Sequence, residues 1–137
     1  MSAFALAVLT LALWTGWALL GKVALDTAAP AQATLLYGLA AVLAGALSLG
    51  LVLQPLSWSA GALGLAAVSA ALGGAGLVSF YLALERGAAS LVVPVAGAYH
   101  AVVALLSVAF LSERMTGTQV AGVGLAVTGV LLIGAGG

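Results

Sequence analysis

Five apolar runs, each about as long as a membrane span, divide this chain. They fall at residues 3–23, 32–53, 61–84, 90–111 and 118–134, and short clusters with charged residues, proline or glycine separate them. A helix needs about 20 mostly apolar residues to cross a bilayer, while charges, proline and glycine mark helix ends. The pattern predicts an all-α integral membrane protein with five transmembrane helices.

The chain carries very few charged side chains. Three Lys or Arg balance three Asp or Glu among 137 residues, 65% of the chain is hydrophobic, and the mean hydropathy is +1.34. So few cations exclude a basic surface for nucleic acid, and the apolar surplus makes membrane lipid a partner. The sequence has no cysteine, which excludes disulfides and thiolate metal sites, and we expect no metal or cofactor.

The first apolar run is expected to be a helix rather than a cleavable signal, because Met1-Ser2-Ala3 lacks the positively charged segment of a secretory signal. The connections between runs are too short for a soluble domain. Sequential helices are therefore expected to be antiparallel neighbours in one membrane domain over residues 1–137.

Lys and Arg are divided almost evenly between the two sides of the membrane. With five spans, Lys22 and Arg86 lie on one side, whereas Arg114 and the N-terminal amine lie on the other. An excess of Lys and Arg in the loops of one side normally sets orientation. The balance favours a chain that inserts in both orientations; a strongly oriented chain with weak signals is the alternative.

Small residues recur at helical spacing in three predicted helices. The stripes are Gly38 and Gly45 in the second helix, Ser69, Gly73 and Gly76 in the third, and Gly122, Ala126 and Gly129 in the fifth. In lipid, small residues allow helix backbones to approach closely. The stripes predict helix contacts but indicate no function.

From the fourth helix onward the sequence resembles the closing segment of EamA-like domains of the drug/metabolite transporter superfamily. The stretch is ERGAASLVVPVAGAYHAVVALLSVAFLSERMTGTQVAGVGLAVTGVLLIG, residues 85–134. The matching parts are Gly87-Ala-Ala-Ser90, Pro94, Phe110-Leu-Ser-Glu113-Arg114, Gln119 and the spacing of Gly122 and Gly129; upstream, Leu13-Trp14-Thr15-Gly16 and Gly21-Lys22-Val23-Ala24-Leu25 look like the family's first helix.

The resemblance implies a ten-helix transporter of two inverted five-helix repeats, of which this chain supplies one half. A second copy in the opposite orientation, or a related five-helix chain, would supply the other half. Inverted repeats place a substrate site at their interface near the midplane. The block after Pro94, residues 95–99, is less polar than in many short members of the family, so the resemblance does not identify the solute.

Six residues are candidates for a solute-binding site. They are Trp14, Trp17, Lys22, Tyr81, Tyr99 and His100. His100 falls near the middle of the fourth helix, where a titratable side chain is expensive to bury and is a functional candidate by default. It is expected to contact solute or to carry a proton; the alternative is a neutral histidine bonded to a neighbouring helix.

Trp14 and Trp17 lie one turn apart near the centre of the first helix, on a stripe that also holds Thr10 and Gly21. Tryptophan held by the membrane alone prefers the interface, as expected for Trp58. An inward-facing pair could hold a cationic or aromatic solute against the ring faces, or could be plain packing. Tyr81 and Tyr99 are potential hydrogen-bond donors, and Lys22 is equally compatible with a helix-end charge.

These features favour a secondary transporter for a small metabolite or drug-like solute in the cytoplasmic (inner) membrane. The alternative is a non-transporting accessory subunit or a flippase subunit for a lipid-linked molecule. An enzyme is disfavoured, because the sequence offers one histidine and no intramembrane carboxylate. The sequence lacks a phosphate-binding glycine loop, and no catalytic residue is expected.

Overall fold

The structure is a computed structural model that describes residues 2–51 and 59–136, without the side chains of residues 50 and 51. Its helices are α1 Ala3–Ala24, α2 Pro30–Leu51, α3 Ala60–Arg86, α4 Ala89–Gly97, α5 Tyr99–Phe110 and α6 Gly117–Ala135. The predicted last residues of the second helix and the predicted interface anchor Trp58 lie outside the described residues.

Five helical segments are long and apolar enough to cross a membrane, with α4 and α5 together making one of them, Ala89–Phe110. Across the two described ranges every regular element is a helix. The predicted all-α fold with five membrane spans is confirmed. Large apolar side chains are exposed along every span, as expected for helices whose outer surfaces face lipid.

The chain divides into unit 1, Met1–Arg86, and unit 2, Gly87–Gly137. In unit 1, α3 packs against both α1 and α2. Two serines begin helices there: the Ser2 hydroxyl accepts a hydrogen bond from the Ala5 amide at 3.2 Å, and the Ser59 hydroxyl accepts one from the Ala62 amide at 3.1 Å. Each satisfies an amide that has no partner within its own helix.

In unit 2, α6 packs against α4 and α5. A capping box begins α6: the Thr116 hydroxyl accepts from the Gln119 amide at 3.3 Å, and the Gln119 side chain accepts from the Thr116 amide at 2.8 Å. Ser112, between α5 and α6, has φ 58°, a left-handed conformation that ends the preceding helix.

The fourth span is interrupted, although the sequence predicted one continuous helix over residues 90–111. The Ala98 amide donates to Val95 O at 3.2 Å and the Ala101 amide to Ala98 O at 3.0 Å, so both bonds reach three residues back instead of four. Pro94 lacks an amide hydrogen and its ring clashes with the preceding turn, and glycine at 97 weakens the helix further. Both residues lie in the turn before Ala98, whose backbone keeps right-handed helical angles, φ −58° and ψ −22°.

The glycine stripes make no close contact within the described chain. A Cβ built at Gly38, Gly45, Gly73, Gly76, Gly122 or Gly129 meets no described atom within 4 Å. At Gly21, in contrast, a Cβ would lie 3.2 Å from Cε1 of Tyr81. A close approach of backbone and side chain occurs instead between α1 and α3, at Gly21, which lies outside the three predicted stripes.

Gly21→Leu is expected to lower the free energy of unfolding by about 1 to 3 kcal/mol relative to Gly16→Leu, because it overpacks the α1–α3 contact. Gly16 lies in the same helix, where an added Cβ meets nothing within 4 Å. Both variants gain the same helix propensity, so their difference isolates the clash. Thermal unfolding in detergent measures it, and equal stabilities of the two variants would contradict the packing described.

Candidate functional site

An aromatic cluster joins the three helices of unit 1. It consists of Trp17 of α1, Tyr37 of α2, and Phe80 and Tyr81 of α3. The Trp17 ring centroid lies 5.1 Å from that of Phe80, 5.4 Å from Tyr37 and 5.9 Å from Tyr81. Stacked and edge-on aromatic pairs at such distances are attractive. The cluster therefore connects α1, α2 and α3 through side-chain contacts.

A hydrogen bond fixes the centre of this cluster. The indole Nε1–H of Trp17 donates to the hydroxyl oxygen of Tyr81 at 2.9 Å, and Tyr81 is only 3% exposed. An indole N–H in an apolar interior needs an acceptor, which the phenol supplies across the helix contact. Gly21, one turn beyond Trp17, leaves room for the Tyr81 ring. Trp17 and Tyr81, two separate predictions from sequence, thus form one structural pair.

Lys22 ties α1 to the end of α3. Its Nζ donates to the backbone carbonyl of Leu84 at 2.5 Å, and the Leu84 residue is fully buried. Leu84 O is one of the last four carbonyls of α3, which have no amide partner within the helix. A cation there also interacts favourably with the negative end of the helix dipole. The structure gives Lys22 a capping role at the helix end.

The cluster lies off the middle of its helices, towards one end. At 1.5 Å per residue, α1 is about 33 Å long, and Trp17 lies about 10 Å from its C-terminal end. Trp14 lies about 15 Å from that end, near the middle of the helix. Trp14 is 48% exposed. The two tryptophans therefore differ: Trp17 is built into the cluster, whereas Trp14 presents much of its ring at mid-span.

Unit 2 contains the other two candidates, His100 and Tyr99. Their ring centroids are 3.9 Å apart, and Nδ1 of His100 lies 2.8 Å from the carbonyl oxygen of Gly97. His100 lies two residues after Ala98 and is the twelfth of the 22 residues of its span. The sequence prediction of a mid-span histidine agrees with this placement.

A groove of about 410 Å³ runs along unit 2 beside His100. It is lined by Pro94, Gly97, Ala98, His100 and Ala101 on one side and by Ala126, Gly129, Val130 and Ile133 of α6 on the other. Part of the predicted small-residue stripe of α6 thus faces this groove. His100 is the one residue with a polar side chain among the described residues that line it.

Sequence reasoning identified Trp17, Tyr81 and His100 but missed three of their neighbours. The sequence did not predict that Phe80 and Tyr37 lie against Trp17, or that the Gly97 carbonyl is bonded to His100. The combination of Pro94 and Gly97 was the available signal for the last of these, because proline and glycine weaken a helix. Among the described residues, no group of three or more His, Asp or Glu side chains could hold a metal.

Comparison with known proteins identifies the family. An uncharacterized protein of Methanocaldococcus jannaschii is 38% identical over 68 residues, which are 50% of this chain and 50% of that relative; the match spans half the relative's length. No solved structure matches the chain. The sequence model of the EamA-like transporter family matches residues 1–135, and the five membrane spans fit one five-helix half of such a transporter. The chain therefore belongs to the EamA-like transporter family.

Proposed function

We propose that this chain is a multi-pass secondary transporter of the cytoplasmic membrane that moves a small metabolite or drug-like solute. It works as an antiparallel pair, with a second copy in the opposite orientation supplying the other five-helix repeat; a related five-helix chain could take the same place. The observation that carries the proposal is the family match over residues 1–135 on five membrane-spanning helices.

The distribution of charge supports the antiparallel pair. Lys22 and Arg86 lie at one end of the spans and Arg114 lies at the other, so neither side has a clear excess of cations in its loops. Orientation follows such an excess, and without one both orientations form. Two oppositely inserted copies then bring together two inverted repeats, the arrangement in which transporters build a midplane site.

The solute site that we propose uses Trp14 and His100 as its central residues. Each lies near the middle of its own span, about 15 to 17 Å from either helix end at 1.5 Å per residue. Inversion of a copy preserves that depth. Trp17, Tyr81, Tyr99 and Lys22 are proposed as supporting residues of the site: the first two hold α1 against α3, Tyr99 lies against His100, and Lys22 holds the end of α3.

A ligand screen followed by vesicle transport tests this function. Purified protein in lipid nanodiscs is heated with amino acids, primary amines, cationic drugs and nucleosides, and a bound solute raises the melting temperature by mass action. The stabilising solute is then loaded into proteoliposomes for counterflow. We expect the wild type to show saturable counterflow. His100→Ala and Trp14→Ala should lose it.

Ser48→Ala provides the matched control, because the Ser48 hydroxyl is bonded within α2, to Gly45 O at 2.7 Å. It should transport like the wild type. A chain that binds a solute but gives no counterflow above protein-free vesicles contradicts the proposal. If the same vesicles move a lipid-linked molecule between leaflets, the flippase alternative is correct instead.

A further inference from the structure

Another groove lies within unit 1, between α2 and α3. It has a volume of about 390 Å³ and is lined by Pro30, Ala31, Thr34 and Leu35 of α2 and by Val78 and Leu82 of α3. The lining residues recur at a spacing of four, so on each helix they lie one above the other on a single face. We call this feature the α2–α3 groove.

The α2–α3 groove has a hydrocarbon lining. Thr34 carries the one hydroxyl among the described residues that line it, and that hydroxyl donates its hydrogen to Pro30 O within α2 at 2.9 Å. Proline at the first position of α2 places a ring there rather than an amide N–H. A polar solute would lose its bonds to water in such a groove without gaining others. The lining therefore favours a hydrocarbon chain.

The α2–α3 groove opens outward, at the depth of lipid acyl chains. Leu35 is 64% exposed and Val78 is 45% exposed. At 1.5 Å per residue, the lining residues lie within about 12 Å of the start of α2 and the end of α3. The hydrocarbon core of a bilayer is about 30 Å thick, so the groove lies within one leaflet, where acyl chains surround it.

A cation lies at the end of this groove. Arg86 is the last residue of α3 and comes four residues after Leu82, on the same face of the helix. Its side chain is exposed, and it has no ion-pair partner among the described residues. The positive end of the α2 dipole lies at the same end of unit 1, because α2 begins at Pro30. Both charges are complementary to an anionic phosphate.

Two carboxylates lie at the same end of unit 1, but neither lines the α2–α3 groove or forms an ion pair with Arg86. Glu85 comes four residues after Tyr81 and shares the face of α3 that meets Gly21 of α1. Asp26 lies in the α1–α2 connection. The lining therefore offers no anion to the ammonium of a zwitterionic headgroup, which favours a lipid with a net negative charge.

We propose that the α2–α3 groove holds an acyl chain of an anionic phospholipid of the surrounding membrane, and that the guanidinium of Arg86 binds the lipid phosphate. Leu82 and Arg86 are about 6 Å apart along the helix axis, so the phosphate lies just beyond the groove, where the headgroup joins the chains. Arginine suits this role because its planar fork binds phosphate through two parallel N–H bonds. The lipid is a bound partner rather than the transported solute, so the inference does not depend on the proposed transport function.

Photo-crosslinking with a labelled lipid tests the inference on the wild-type chain. The chain is reconstituted in phosphatidylcholine nanodiscs with an increasing mole fraction of phosphatidylglycerol that carries a diazirine near the glycerol end of one acyl chain. Mass spectrometry then locates the label. We expect saturable labelling at residues 30–35 and 78–82. Unlabelled phosphatidylglycerol should displace the label, whereas an equal amount of additional phosphatidylcholine should not.

Two variants separate the headgroup contact from the chain contact. Arg86→Gln should raise the half-saturating mole fraction of phosphatidylglycerol about fivefold, the factor expected for one cation at the membrane surface. Arg114→Gln, at the opposite end of the spans, should leave it unchanged. Ala31→Leu should fill the groove and reduce its labelling severalfold, whereas Ala41→Leu, which is exposed in the same helix but outside the lining, should not.

Labelling that does not saturate and spreads evenly over the exposed faces of all five spans overturns the inference, because the groove then contacts only bulk lipid. Equal half-saturation for the wild type and Arg86→Gln also overturns it. An unlabelled groove does so as well, and a disulfide between two copies of Leu35→Cys would then identify a second copy as the occupant. Counterflow is measured separately, so each of these outcomes leaves the proposed transport function standing.

Discussion

Glu113→Lys with Met115→Lys, which adds two lysines beside Arg114, is expected to hold nearly all copies in one orientation and to reduce transport at least tenfold. The change gives the loop between α5 and α6 three cations, a clear excess that places it on the cytoplasmic side. Copies that all share one orientation cannot form an antiparallel pair. Counterflow in vesicles and the location of a C-terminal reporter measure the two effects.

Coexpression with an oppositely biased copy should restore transport. Thr27→Lys with Ala28→Lys adds two cations to the α1–α2 connection, at the other end of the spans, and should hold that copy in the reverse orientation. Glu113→Gln with Met115→Gln is the matched control, because it changes the same side chains without adding cations. Full transport by the two-lysine variant alone, with one orientation confirmed, contradicts the antiparallel pair.

Trp17→Ala is expected to lower the free energy of unfolding by about 3 kcal/mol, the lower part of the range for deletion of a buried aromatic ring, because Trp17 is half-buried. It removes the ring that contacts α2 and α3 together with the hydrogen bond to Tyr81. Trp17→Phe keeps a ring and loses the bond, which costs about 0.6 kcal/mol between membrane helices. Thermal unfolding in detergent ranks the variants.

Trp14→Ala provides the contrast in the same helix. Because Trp14 is 48% exposed, its removal should destabilise the chain much less than Trp17→Ala, yet it should abolish transport as a loss of solute contact at mid-span. Equal destabilisation by the two alanine variants would show that Trp14 is also a packing residue. If Trp14→Ala transports solute at the wild-type rate, Trp14 does not belong to the proposed site.

The helices could be predicted from sequence because membrane spans are set by the length of apolar runs. The bilayer needs about 20 apolar residues per helix, and charged residues such as Glu85, Arg86 and Arg114 cannot lie deep within it without large expense. The five observed spans begin within two residues of the predicted starts. Where an observed start differs from the predicted one, a capping residue fixes the first residue of the helix, as Thr116 with Gln119 does for α6.

The break in the fourth span could not be placed from the apolar pattern alone. Pro94 was visible, but many transmembrane helices accommodate a proline, because neighbouring groups satisfy the freed backbone. Here Nδ1 of His100 is hydrogen-bonded to the Gly97 carbonyl. That bond depends on the rotamer of a side chain three residues further along the chain. The sequence contains both residues but does not show that they pair.

The aromatic cluster was beyond sequence reasoning for a different reason. Most positions of α1 are apolar, so no polar face shows which side of the helix turns inward, as it would in a soluble protein. Trp17 and Tyr81 are 64 residues apart, and their pairing depends on the rotation of α1 against α3. Gly21, which decides that contact, could be placed on the stripe of Trp14 and Trp17, but the sequence does not show which residue it meets.

Accessibility of single cysteines tests the antiparallel account most directly. The chain contains no cysteine, so Thr27→Cys and Met115→Cys each introduce the only thiol, at opposite ends of the spans. A membrane-impermeant maleimide is applied to intact cells and then to permeabilised cells. We predict that about half of the thiols at each position react in intact cells and that the rest react after permeabilisation. Complete reaction at one position with none at the other would contradict insertion in both orientations and, with it, the antiparallel homodimer.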